Sequence, residues 1–115
     1  MVGKMFELSN KQICYVGKNK KDNWLLLDKA LNENIQWVFF HLTSFSSPYL
    51  ILETEFNNVT IDVVKEAAEL LKQNTKYSQL RSVYVDFTPC SNIRKTENEG
   101  EIEYKSLRKV KKIRI

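Results

Sequence analysis

The chain has 115 residues, 43% of them hydrophobic and 28% charged, and carries a net charge of +4. That length suits a single domain able to bury its own core, and the mixture excludes a disordered or low-complexity chain. Cys14 and Cys90 are the only two cysteines and lack any paired spacing, which excludes a zinc-finger or disulfide framework and suits a reducing compartment, cytoplasmic or nuclear.

The opening MVGKMFELSN has no apolar run of the signal-peptide kind, and nowhere does the chain approach the ~20 apolar residues of a membrane span, so no membrane partner is expected. Residues 5–8 and 13–16 are apolar runs on either side of Ser9, Asn10, Lys11 and Gln12, the pattern of a β-hairpin. After Gly17, Asp22 is placed to cap a short helix with Trp24, Leu27 and Leu31 along one side. Residues 35–42 are apolar on both parities, as in a central strand buried on both faces. A polar turn and Pro48 then lead into a strand over 49–52 that completes a second hairpin.

Thr60 is a predicted N-cap, Asp62 complements the helix dipole, and Ile61, Val64, Ala68 and Leu71 form the apolar stripe of a second helix. RSVYVDF alternates, with Val83, Val85 and Phe87 on one face and Ser82, Tyr84 and Asp86 on the other, which predicts a half-buried strand. A polar segment reaches Gly100, and two further strands follow around Ile102 and Tyr104 and in RKVKKIRI. Val110 is out of parity with Ile113 and Ile115, which predicts a β-bulge that turns both Lys111 and Lys112 outward. The whole reads as one α+β domain over residues 1–115, a largely antiparallel mixed β-sheet with two helices packed on one face.

Charge is unevenly spread. Residues 1–90 hold ten Lys/Arg against ten Asp/Glu, so the whole excess lies in 91–115, where eight cations face four glutamates. Phosphate is one counter-charge for such a segment; a solvated edge strand guarded by lysines gives the same pattern. Catalysis is not expected: His41 is the lone histidine, the three glycines form no phosphate-cradling loop, and the carboxylates are scattered. No cofactor, metal or small-molecule substrate is implied.

Three places could bind. Lys18, Asn19 and Asn23 lie between a strand and a helix N-terminus, where backbone N–H groups and cations can hold phosphate, and where a plain β-to-α turn is equally natural. His41 ends the apolar strand just before Thr43, Ser44, Ser46 and Ser47, either as a core histidine or as part of a donor-rich cluster. Tyr84, on the polar side of its strand, is the best placed aromatic for stacking on an unpaired base.

Taken in order, V-G-K-N-K-K-D-N, F-F-H-L-T-S-F-S-S-P, T-P-C-S-N-I-R-K-T and E-G-E-I resemble the NFACT-R domain family, and the pattern is most like its short, coiled-coil-bearing members. The likeness covers about residues 13–115. Phe39 stands where the family usually has Trp, Trp37 where Asp is common, and Pro48-Tyr49 in place of a small residue followed by His; the charged coiled-coil tail of longer relatives is lacking. The resemblance implies a non-catalytic nucleic-acid-binding module whose partner is RNA, with tRNA or the ribosome as candidates, DNA left open, and a place in translation or ribosome-associated quality control. It makes a shared surface site of the loop lysine and His41 the favoured reading. The expected site is a polar pocket of Lys18, Asn19, Asn23, His41, Ser46 and Ser47, with Tyr84 stacking and a basic rim of Asn92, Arg94, Lys95, Lys111 and Lys112. The alternative is a protein-interaction module docking on a ribosomal or translation-associated complex.

Overall fold

The computed structural model describes residues 2–115; Met1, the first residue of the expected domain, lies outside them. Its elements in chain order are β1 (Lys4–Glu7), β2 (Ile13–Val16), α1 (Lys20–Glu33), β3 (Trp37–Leu42), β4 (Leu50–Glu55), α2 (Ile61–Gln73), β5 (Tyr84–Pro89), β6 (Ile93–Lys95), β7 (Ile102–Tyr104) and β8 (Lys111–Arg114). Six strands form one sheet in the order β1-β2-β4-β3-β5-β8, and β6 and β7 form a separate hairpin. Every pairing is antiparallel. The α+β architecture and the antiparallel sheet are as the sequence predicts.

The helices, however, lie on opposite faces of the sheet, not on one. Strand side chains alternate, so the apolar residues of both parities in β3 demand cover on both sides. Val38, Phe40 and Leu42 pack with Cys14, Val16, Leu50 and Leu52 under Val64, Ala67, Ala68 and Leu71 of α2. Phe39 points the other way, into a second cluster with Tyr49, Ile51, Cys90 and Ile93 under Leu26, Leu27 and Ala30 of α1. The stripes therefore shift from those read off the sequence. Ile61 and Leu31 are exposed, while Val63, Ala67, Leu26 and Ala30 are buried.

Three local expectations also change. Asn19, not Asp22, caps α1: its side chain accepts the Asp22 N–H at 2.9 Å. Asp22 is buried instead and accepts the N–H groups of Gly3 at 3.1 Å and Lys18 at 2.8 Å, tying the N-terminal segment to the helix start. The expected bulge in β8 is absent, because residues 107–109 form a 3-10 turn that removes Val110 from the strand. Strand β8 then pairs regularly with β5, so Lys111 and Lys112 point to opposite faces. The register shift falls at Trp37 and Val38 in β3. Finally, β5 is more than half-buried: Asp86 and Thr88, on its polar side, are 5% and 0% exposed.

Candidate nucleic-acid interface

Cross-strand register builds the site. On the α1 side of the sheet, beyond the edge of the helix, His41 of β3, Asp86 of β5 and Lys112 of β8 stand in one row. One step further, Tyr84 pairs with Arg114, and the Thr43 N–H bonds the Tyr84 carbonyl at 2.9 Å. Tyr84 is 52% exposed, with Arg114 exposed beside it. An accessible ring flanked by a guanidinium is a stacking platform with a phosphate contact next to it.

Asp86 organises the inner row. Its Oδ1 accepts the Thr43 hydroxyl at 2.8 Å and the Lys112 ammonium at 2.7 Å, and its Oδ2 accepts the Tyr104 hydroxyl at 2.9 Å. Burial, aided by the Asp86 carboxylate, pushes the Tyr104 phenol up, so it stays protonated. His41 is half-buried, with its ring parallel to Phe39 at 6.4 Å and edge-on to Tyr49 at 5.7 Å. Burial lowers its pKa despite the Leu42 backbone and Asp86, so it is a neutral imidazole with one donor and one acceptor.

A cleft of about 540 Å³ opens beside this row, walled by α1, the serine turn and the β6–β7 hairpin, and it is lined by Lys20, Asn23, His41, Ser46, Ser47 and Tyr104 among others. Around the serine turn lies a second depression of about 380 Å³ that holds Lys18 and Asn19 and shares Lys20, Asn23, Ser46 and Ser47 with the first. The fold thus gathers the loop, the histidine and the serines into adjoining hollows. The three asparagines are occupied by hydrogen bonds of the fold itself. Asn19 is spent on the helix cap; Asn23 is buried and accepts the Tyr49 N–H at 3.1 Å; Asn92 is buried, donating to Thr88 Oγ1 at 3.0 Å and to the Ser106 carbonyl at 2.9 Å. Ser47 Oγ accepts the Leu42 N–H at 3.2 Å and shapes the turn, whereas Ser46 is exposed.

The expected basic rim is not one surface. Arg94 pairs with Glu103 across the hairpin at 3.1 Å. Lys95 pairs with Asp28 and lies over the Trp24 ring at 4.9 Å. Lys111 sits on the α2 side, 5.5 Å from the Phe56 ring. Lys18, Lys20 and Lys76 line the two hollows and Arg114 stands beside Tyr84; none of these four makes an ion pair among the described residues. Asp86, Tyr104 and Arg114 were not among the expected site residues. The signal for Asp86 was its being the one acid of its strand, and for Arg114 the parity it shares with Lys112; Tyr104 had none. Among the described residues no cluster of three or more metal-ligating side chains occurs, and no helix is long and apolar enough to cross a membrane.

Residues 2–105 match the family model described as the NFACT protein RNA binding domain. The chain belongs to the NFACT-R family. This is an RNA-binding family, not a catalytic one. The NFACT-R chain is 30% identical to Protein JLP2 of Saccharomyces cerevisiae over 115 aligned positions, covering 93% of this chain and 55% of the relative. It therefore spans about half the length of that curated relative. In fold it is similar to the C-terminal part of the fibronectin/fibrinogen-binding protein from Streptococcus suis, with a TM-score of 0.86 and 20% identity, covering 100% of this chain and 45% of that one. On this NFACT-R scaffold, the motif Thr88-Pro89-Cys90-Ser91-Asn92 works as a fastener: Asn92 and Thr88 together hold the backbone at Ser106 and Lys109.

Proposed function

We propose that this domain is a non-catalytic RNA-binding module whose contact surface is the exposed α1-side strip of the sheet together with the adjoining cleft. The observation that carries this reading is the pair Tyr84 and Arg114, an exposed ring and an unpaired guanidinium side by side on adjacent strands. Unpaired bases stack on accessible aromatic rings, and arginine and lysine position the strand through its phosphates. Lys18 and Lys20, at the start of α1, extend the positive path past the serine turn.

Membership of an RNA-binding family supports the choice of RNA. Within it we take the partner to be an RNA of the translation machinery, tRNA or ribosomal RNA, which places the domain in translation or its quality control. The net charge of +4 gives a short electrostatic footprint, so a larger assembly that adds further binding surface would raise the affinity by raising the effective concentration.

Fluorescence anisotropy with a labelled single-stranded RNA tests this. Wild type should bind, and removing one cation that neutralises a phosphate should flatten the log K against log salt slope by about 0.7. Arg114→Ala should show that flattening, and Tyr84→Ala should weaken binding by roughly 1–3 kcal/mol while leaving the slope in place. Arg94→Ala, whose charge is already paired, is the control and should bind as wild type. Equal weakening in all three would overturn the Tyr84–Arg114 surface, and absent RNA binding would move the function to a protein-docking surface.

A further inference from the structure

The cleft beside the His41–Asp86–Lys112 row has a polarity that a surface merely tracking phosphates does not require. At about 540 Å³ it falls within the ~300–1,000 Å³ range of small-molecule sites. Its inner part is rich in acceptors. Asp86 Oδ1 already accepts from Thr43 and Lys112, but Oδ2 accepts only from Tyr104 and keeps a lone pair free. Tyr104 lines the cleft and gives its hydroxyl proton to Asp86, so its phenol oxygen can only accept; Tyr49, 1% exposed, gives its proton to the Gly100 carbonyl and shapes the wall without facing a ligand. His41 adds a ring nitrogen and a flat face. The mouth is mixed: Lys20 and Ser46 are exposed there and able to donate, with the exposed Glu101 carboxylate on the hairpin side.

From this arrangement we infer that the cleft takes a single unpaired nucleotide of the bound strand, base inside and phosphate at Lys20, and that it selects a base whose edge donates hydrogen bonds, guanine above all. Guanine offers an N–H and an amino group side by side to such acceptors, whereas uracil offers one N–H. The inference rests on the RNA-binding reading of the same face and deepens it by naming what the cleft recognises. Lys112 and Thr43 hold the carboxylate in place and are positioning residues; Asp86 and His41 meet the base. Gly100 sets the width of the entrance. Its φ of +84° and a Cβ position only 2.7 Å from Lys20 Cβ let the hairpin close against α1 without pushing the lysine away.

Nitrogen-proton correlation NMR of the full chain, titrated with GMP, AMP, CMP, UMP and guanosine, tests it on the wild-type protein. GMP should saturate and shift the amides of His41, Ser46, Asp86 and Gly100, binding about tenfold more tightly than UMP, at the low end of what a bidentate hydrogen-bonded pair discriminates. Lys20→Ala should weaken GMP several-fold and leave guanosine unchanged, and this exposed position puts no strain on folding. UMP binding as well as GMP, or shifts scattered over the surface without saturation, overturns the inference. If that happens while single-stranded RNA still binds through Tyr84 and Arg114, the RNA-binding reading survives without the cleft. If neither mononucleotide nor RNA binds, both fall, and GMP binding without any RNA binding overturns the role of the cleft as a reader of RNA strands.

Discussion

Gly17 and Asn23 are packed so closely that a Cβ at position 17 would fall 1.8 Å from Asn23 Oδ1. That oxygen accepts the Tyr49 N–H, so the glycine leaves room for the bond that joins the start of α1 to the strand β4 approach. Gly17→Ala must push Asn23 aside and should cost about 1–3 kcal/mol. Asn23→Ala leaves the Tyr49 N–H, buried with its residue, without its partner and should cost a similar ~1–3 kcal/mol. The double variant Gly17→Ala, Asn23→Ala relieves the clash, so urea unfolding should show it to be less destabilised than the sum of the singles. Strict additivity would show that the two residues do not meet in this way.

Lys111 and Lys112 are neighbours in sequence with unequal tasks. Lys112→Ala removes an ammonium from the buried Asp86 carboxylate and should cost about 1 kcal/mol, less than a fully buried pair because the lysine is itself half-exposed. Lys111→Ala takes an ammonium away from the Phe56 ring and should cost ~0.5 kcal/mol. Equal effects in chemical denaturation would favour the bulged strand over the regular one.

The sequence made β5 and α2 legible because each keeps one period over most of its length, and the Thr60 cap is where the pattern places it. The placement of α1 was harder. Asp22 has the look of an N-cap, and only tertiary structure shows its carboxylate taken by Gly3 and Lys18. Burial of both parities in β3 did carry the message that both faces are covered, yet it does not say which helix covers which. Strand β6 has three residues, two of them charged, and no periodicity can announce it. Of the site, His41 and Tyr84 stand out in a linear reading, and Lys18 by its motif. Arg114 does not, because its value comes from standing beside Tyr84 on another strand, a neighbour by register and not by sequence. The loop asparagines misdirect for a related reason: a side chain that binds its own backbone has the same composition as one that binds a ligand.

Acid should destabilise the fold through His41. Burial holds its pKa below the ordinary 6.5, so the folded chain carries fewer protons there than the unfolded chain. The contribution is present above about pH 6.5 and is lost as pH falls through the folded value. His41→Asn should flatten the acidic limb of a stability profile between pH 7 and 5, measured by thermal melts; an unchanged limb would assign it to other groups.

At the alkaline end the thiols take over. Burial pushes Cys14 and Cys90 up from 9.0 to about 12, so their stabilising contribution is complete below pH 9 and is lost as pH rises toward 12. Both side chains are 0% exposed, so a thiol reagent at pH 8 should label neither in the folded chain and both in urea. Rapid labelling of either in native buffer would show that its core cluster opens readily.

The division of the apolar side chains between two clusters has a consequence for how the domain comes apart. Each layer is thin, and both lean on β3, which gives Phe40 to one and Phe39 to the other. Neither helix can leave without baring one side of that strand to water, and the strand cannot shift without releasing both helices. A domain arranged this way should melt as one unit, with local damage on either face felt as a loss of the whole.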